Sequence, residues 1–420
     1  MSHAEDLTVK QALEAILGSI SVLSSEPVPI VEALGRVLAA AVVAQESLPP
    51  FANSSMDGYA VLSSDLAGVT IDNPAHLKVV ADIAAGAVSG QSLNPGEAAR
   101  IMTGASMPEG ADALVPVEST NEPWRNPERP LPEIVQVYRA VGSGDYVRHI
   151  GEDIRSGTEV MAAGHLLRPQ EIGVLASLGI EVLSVVRRPK VAVLATGDEL
   201  LPISEPLSPG KIRNSNEYAQ IAQVTAMGAI PIPLGIARDD EDDVREKLQQ
   251  GLDAGADLFV SSAGVSVGAY DVVKKVLEDA GNVGFWRVRM RPGKPLAFGS
   301  YLGVPYLGLP GNPVSAMVSF ERFARAAILK MSGHAIFERP QVDARVTEVI
   351  HSDGRESYIR AVVSKGRDGY YGTPTGSQGS HIMTSLVKAN ALLIVPEGVN
   401  SVAAGDKLKA WMIDWPETVF

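Results

Sequence analysis

Five short stretches between Ala195 and Ala316 carry most of the residues that could do chemistry: TGDEL, RDD, SSAGVSVG, MRPGKP and LPGNPVS. With Asp271 and Arg287 close beside them, they supply the carboxylates Asp198, Glu199 and Asp239 and the cations Arg291 and Lys294. Carboxylates that can hold a hard metal ion, set beside guanidinium and ammonium groups, suit the clamping of a phosphorylated or oxyanionic ligand. The small residues of Ser261–Gly268 allow backbone amides to approach an anion, although the same composition suits a tight strand-to-helix turn. Structural roles compete at several positions. Asp198 could close an Asx turn, one of Asp239 and Asp240 is expected to cap a helix, Asp271 opens the next helix, and Asn312 with Pro313 has the form of a helix start. In a continuous strand Arg287, Arg289 and Arg291 would share one face, and three cations there call for acids or a bound anion.

Two earlier stretches, NSSMDGYA and RIMTGASMPEGAD, are also unusual, though Asp57-Gly58 taken alone is a turn signal. The seven histidines show no paired metal spacing, and His149 and His381 read as ordinary residues.

The elements that must position these residues follow from hydrophobic periodicity. From Pro189 to Gly333, strands (VAVLAT, AIPIPLGIA, DLFVSSA, FWRVRM, LAFG, VPYLGL) alternate with helices (Asn216–Met227, Asp240–Leu252, Asp271–Ala280, Pro313–Lys330). That order predicts a doubly wound, mainly parallel α/β sheet, whose ligands bind beyond the carboxyl ends of the strands. The chemistry-bearing stretches are the loops at those ends. Ahead of this region, helix-like segments are expected at Thr8–Ile20, Ile30–Leu38 and Gly157–Gly179, and short strands between Glu46 and Asp153 predict a β-rich insertion. VDARVTEVI, SYIRAVVS, ALLIVPEG and KLKAWMID predict a small all-β domain at the end.

A chain of 420 residues is long enough for several cores. It has no cysteine, which excludes disulfides, zinc–thiolate sites, iron–sulfur clusters and a thiol nucleophile. A net charge of −13 disfavours nucleic acid as the main partner. The longest apolar run, Val37–Ala44, is too short to span a bilayer, and MSHAEDLTVK lacks a signal-peptide pattern, so a cytoplasmic location is expected.

The stretches LPPFANSSMDGYAV, RIMTGASMPEGADALVPVE, VRHIGEDIRSGTEV, VLATGDEL, GKIRNSN, SSAGVSVGAYDVV, MRPGKPLAFG, LPGNPVSAMVSF and GSQGSHIMTSLVKANALLIVPEG occur in this order. Together they resemble the molybdopterin molybdenumtransferase family, which includes bacterial MoeA and the E domain of gephyrin. The resemblance implies four domains: a helical linker (1–45 with 155–188), an inserted β-rich domain (46–154), the α/β catalytic domain (189–333) and a barrel-like β domain (334–420). It also implies a homodimer with an active site shared between subunits, and a reaction in which molybdate is inserted into adenylylated molybdopterin with release of AMP, assisted by Mg2+. The molybdopterin adenylyltransferase and molybdoenzyme acceptors are the implied protein partners.

Carried over by motif, the catalytic set is Asp57, Thr103, Arg148, Asp153, Glu199, Asp239, Asp271, Arg287 and Arg291, with Glu199, Asp239 and Asp271 holding the metal. Substrate contacts fall to Ser262, Gly264, Ser266, Gly268, Lys294, Pro310, Asn312, Pro313, Ser315, Arg360 and Ser380. Arginine stands at 287 and 291 where lysine is frequent in the family, which favours forked oxyanion contacts. The rival expectations are an adenylyltransferase-like nucleotide enzyme on the same α/β module and a gephyrin-like scaffold.

Overall fold

The structure, a computed structural model, describes residues 6–122, 130–262 and 269–415, with only the backbone at 269–271, 280–283 and 285. Its centre is a seven-stranded sheet in the order 6–7, 281–288, 295–301, 304–308, 258–262, 190–196, 230–237. Strand Lys190–Thr196 lies parallel to both Ile230–Ala237 and Leu258–Ser262, and the latter lies parallel to Val304–Gly308. Pro295–Tyr301 alone runs antiparallel to both neighbours.

Alternate residues of the central strands enter different cores. Val191, Val193, Leu258 and Val260 face one, whereas Ala192, Leu194 and Phe259 face the other. A sheet covered on both faces needs such continuous apolar runs, which is why VAVLA and DLFV carry no polar alternation. Helices Glu241–Asp253 and Ala269–Ala280 cover the second face. The first is covered by Asn216–Ala226 and by a composite helix whose α-helical pieces Pro313–Ser319 and Arg325–Met331 flank a π turn at Phe320–Ala324.

The N-terminal helix, Val9–Ser19, has a Thr8/Gln11 capping box and buries Val9, Ala12 and Ile16 in this same first core. Asp6–Leu7 extends the sheet edge beside Arg287–Val288. This segment therefore packs on the α/β layer rather than with the linker that follows it.

The linker departs from its helical expectation. Ile30–Glu32 is a single 3-10 turn, Glu159–Met161 is a strand, and the one helix there is Pro169–Ser177. Two antiparallel ribbons do most of the work, 25–29 against 182–186 and 42–43 against 159–161. The physical reason lies in SEPVP and the nearby valines. Proline cannot donate inside a helix but is tolerated in a ribbon with an open edge, where β-branched side chains pack well.

The second ribbon is also where the β-rich domain leaves and returns. That domain is a five-stranded sheet in the order 113–116, 58–61, 97–101, 75–83, 134–137. At the other end of the chain, strands 356–366, 369–374, 341–346, 407–412 and 391–395 pair in a ring and close a barrel. Tyr358, Leu392 and Trp411 of the barrel are buried in the first α/β core, and Arg322 of the composite helix lies 5.2 Å from the Trp411 ring centroid.

The expected strand FWRVRM is broken. Gly281–Val288 stays in the α/β sheet, but Met290–Arg291 pairs in parallel with Glu356–Ser357 of the barrel. The break occurs because the Val288 amide donates to Lys294 O at 2.7 Å, closing the PGKP turn, while the Arg289 amide donates to Leu7 O at 2.8 Å. Arg287, Arg289 and Arg291 therefore do not form one cationic face. Arg289 pairs with Glu397 at 2.7 Å and Arg291 with Asp353 at 3.7 Å, while Arg287 is exposed on the sheet.

Candidate functional site

The loops beyond the carboxyl ends of the parallel strands meet the barrel at a cleft of about 770 Å3. Pro295 opens the antiparallel strand at this rim, so the PGKP turn faces the same cleft. Cross-loop hydrogen bonds brace it. The Asp198 carboxylate accepts from the Asp239 amide (3.3 Å), Asn216 Nδ2 donates to Gly311 O (2.7 Å), the Val314 amide donates to Ser380 O (3.1 Å), and Arg355 Nη1 donates to Met290 O (3.1 Å).

Two glycines shape this rim by leaving space. At Gly293, with φ +112°, a β-carbon would sit 2.4 Å from the buried Ser319 Oγ, so the PGKP turn rests directly on the composite helix. At Gly197, with φ +139°, a β-carbon would sit 2.5 and 2.7 Å from the Glu199 carboxylate oxygens. Glu199 thus folds back over its own turn, and its carboxylate accepts no hydrogen bond among the described residues.

The charge balance of the lining is strongly positive in a chain of net −13. Arg213, Arg291, Lys294 and Arg355 line the cleft, with Glu199 as its one carboxylate among the described residues. Asp353 lies behind them and is gripped by Arg355, with Arg291 at 3.7 Å, and these guanidinium groups hold its carboxyl below the usual range. Three polar atoms in the lining, Thr196 Oγ1, Ser262 Oγ and Asn216 Oδ1, are buried without a hydrogen-bond partner among the described residues. Buried polar atoms are rarely left so, and three on residues that line one cleft make this rim polar and under-satisfied.

Of the residues expected from the sequence, Glu199, Ser262, Arg291, Lys294, Pro310, Asn312, Pro313, Ser315 and Ser380 line this cleft. Asp239 stands on the adjacent loop, and Asp240 is the helix cap, accepting from the Asp242 and Asp243 amides at 3.0 and 3.1 Å. Arg360 lies beneath the barrel loop, 1% exposed, donating to Ser385 Oγ (3.1 Å) and Gly379 O (3.1 Å). Burial, and then Arg291, push its pKa down to about 10, as expected for a cation with only neutral partners. Gly264, Ser266 and Gly268 lie outside the described residues, as does the Asp271 side chain.

Arg287 does not reach the cleft, and neither do Asp57, Thr103, Arg148 and Asp153 of the same chain. Asp57 Oδ1 accepts from both the amide (2.7 Å) and the hydroxyl (2.8 Å) of Thr103, so these two act as a unit. Sequence reasoning missed Thr196, Arg213, Asn214, Asn216, Arg355, Gln378 and His381, all of which line the cleft. GKIRNSN offered a signal for three of them, TGDEL contains Thr196 and GSQGSH contains Gln378 and His381, whereas nothing local marks Arg355.

No three acids or histidines lie close enough to hold a metal ion among the described residues. Glu199 and Asp239 remain as unengaged hard-oxygen donors on loops tied together by Asp198. Mg2+ usually takes one or two carboxylates plus waters and substrate phosphates, and this donor set fits that habit.

Glu217 supports the rim from below. It is 5% exposed and accepts from the Gly235 amide (2.9 Å) and Asn214 Nδ2 (2.5 Å). Burial raises its pKa, with these hydrogen bonds opposing. A carboxyl raised on folding contributes stability that is complete below its unfolded pKa and is lost as pH rises through the folded value. Urea denaturation across this range should show a downward slope that flattens in Glu217→Gln; an unchanged slope would remove Glu217 as its source.

Residues 7–179 match the family described as "MoeA N-terminal region (domain I and II)", 192–330 the "Probable molybdopterin binding domain", and 343–413 the "MoeA C-terminal region (domain IV)". The chain is 40% identical over 393 residues to molybdopterin molybdenumtransferase 2 of Mycobacterium tuberculosis, covering 91% of this chain and 94% of the relative. It is 34% identical to the molybdopterin molybdenumtransferase of Bacillus subtilis, over 94% of this chain and 93% of the other. The crystal structure of a molybdopterin biosynthesis MoeA protein from Pyrococcus horikoshii OT3 superposes with a TM-score of 0.82 at 29% identity, covering 97% of this chain and all of that one. Among the described residues no helix is long and apolar enough to cross a membrane.

Proposed function

Because the chain belongs to the MoeA family of molybdopterin molybdenumtransferases, enzymes of molybdenum cofactor biosynthesis, we propose that its cleft inserts molybdate into adenylylated molybdopterin with Mg2+-assisted release of AMP. The observation that carries this reading is the cleft itself, where four cations and three orphaned polar atoms surround a single carboxylate. Such a site takes oxyanions, and the carboxylate would help hold a cation that offsets their charge.

In this reading water attacks the molybdopterin-side phosphorus of the anhydride, the bridging oxygen departs with AMP and protons go to solvent, while the two dithiolene thiols bind molybdate and one molybdate oxygen leaves as water with the thiol protons. Bound Mg2+ would screen the anhydride oxygens and stabilise the leaving phosphate, held by Glu199 and Asp239 and, on the resemblance, Asp271. Arg291 and Lys294 receive phosphoryl oxygens from the PGKP side. Arg360 holds the loop that carries Ser380, keeping positive potential behind the molybdate position. Thr196, Ser262 and Asn216 orient polar groups of the substrate. The test supplies purified protein with molybdate, Mg2+ and adenylylated molybdopterin. AMP should appear in step with dithiolene-bound molybdenum, and formation of the adenylate from ATP instead would overturn the reading in favour of an adenylyltransferase.

Asp57, Thr103, Arg148 and Asp153 act in this scheme from a second copy of the chain. Support comes from their absence from the lining of their own chain's cleft and from the exposed Asp57–Thr103 pair. Asp57→Ala and Glu199→Gln, each strongly impaired alone, should regain about a quarter of wild-type activity when mixed and re-equilibrated, because half of the dimers then hold one intact site. No recovery on mixing, with sedimentation showing a monomer, would end the shared-site scheme.

A further inference from the structure

A second cavity, of about 370 Å3, lies on the seam between the linker and the α/β domain and shares no lining residue with the cleft. Arg36, Arg187, Arg188, Arg325 and His334 line it, and no carboxylate does. We propose that this cavity is a second anion site, which takes a phosphate-sized dianionic oxyanion.

Two of the arginines are already held. Arg36 pairs with Glu26 and donates to Val186 O (2.9 Å), and Arg187 forms a forked pair with Asp257 at 2.5 and 2.7 Å. They act as fixed walls. The other two are under-compensated. Arg188 is exposed and has no ion pair among the described residues. Arg325 has a side chain 11% exposed; its Nη1 donates to Phe337 O (2.5 Å), but its Nε is buried without a hydrogen-bond partner, and its nearest carboxylate oxygen, on Glu321, is 3.9 Å away and bonded at 2.8 Å by Arg339. A guanidinium that keeps an unmet donor behind an acid-free cavity is a recognition element for a planar or tetrahedral oxyanion.

Helix ends do not account for the cluster. The cavity faces the ends of helices 216–226 and 325–331, whose carbonyls attract cations, but backbone amides satisfy the last turns: Met227, Gly228 and Ala229 in the first, Ser332, Gly333 and His334 in the second. The arginines donate to none of these carbonyls. Burial and then Arg325 lower the pKa of His334, so this imidazole reports on any anion that arrives.

The probe is inorganic phosphate, titrated into the full-length protein with His334 followed by NMR. Phosphate should raise the His334 pKa and the melting temperature. Arg188→Gln, which touches no core, and Arg325→Gln should each weaken this phosphate affinity about tenfold, while Arg291→Ala, which strips the cleft, leaves it intact. Identical His334 titrations in phosphate and in chloride at equal ionic strength would overturn the proposal. So would a phosphate response that survives both Arg188→Gln and Arg325→Gln, or one that vanishes in Arg291→Ala.

Discussion

Glu199→Gln should cut AMP release by about a hundredfold, equivalent to roughly 2.7 kcal/mol of lost transition-state stabilisation, while leaving thermal unfolding where it was. The amide keeps the shape but removes the only carboxylate charge in the described lining of the cleft. Stability should not move, because Glu199 is exposed and its carboxylate is engaged by no other side chain among the described residues. Gly197→Ala provides an independent route to the same defect. Its methyl would occupy space within 2.5 Å of the Glu199 oxygens at a φ of +139°, so the carboxylate must swing away. Single-turnover AMP release measures both variants. Turnover within threefold of wild type in Glu199→Gln would exclude the carboxylate from the reaction, on a scale where ~3-fold is about 0.65 kcal/mol.

The second large effect falls far from the cleft. Gly58→Ala should destabilise the β-rich domain by about 3 kcal/mol or more, since overpacking against backbone has no flexible neighbour to absorb it. Gly58 begins a strand between two others, opposite Ile101 and Pro116, and a β-carbon there would lie 2.1 Å from Val115 O and 3.2 Å from Pro116 Cα. Limited proteolysis and thermal unfolding should reveal early loss of this domain, and an unshifted melting curve would refute the packing argument.

Gly58 also shows where sequence reasoning stopped. Asp57-Gly58 reads locally as a turn, and only the neighbouring strand explains why the glycine must be there. The α/β region was legible because its strands and helices differ in period and its loops fall, by topology, on one rim. The linker departs from its helical expectation because SEPVP and nearby valines form ribbons whose partners, 182–186 and 159–161, are more than a hundred residues away in sequence, a distance no local periodicity spans. The cleft was legible where glycine and charge coincide, as in TGDEL and PGKP. Arg355 carried no local mark, because it arrives from the barrel, and Thr196, although it opens TGDEL, is an uncharged residue ending a buried strand. The supposed cationic face failed for a related reason, since FWRVRM gives no sign that two of its residues are borrowed by another sheet.

That borrowing has a mechanical outcome. Met290–Arg291 is stitched to the barrel while the chain on either side is stitched to the central sheet, and Trp411 anchors the barrel in the core beneath. The last domain is therefore no detachable appendage: shaving Trp411 should loosen the grip on oxyanions at a distance, as a shifted fulcrum alters the bite of a pair of pliers.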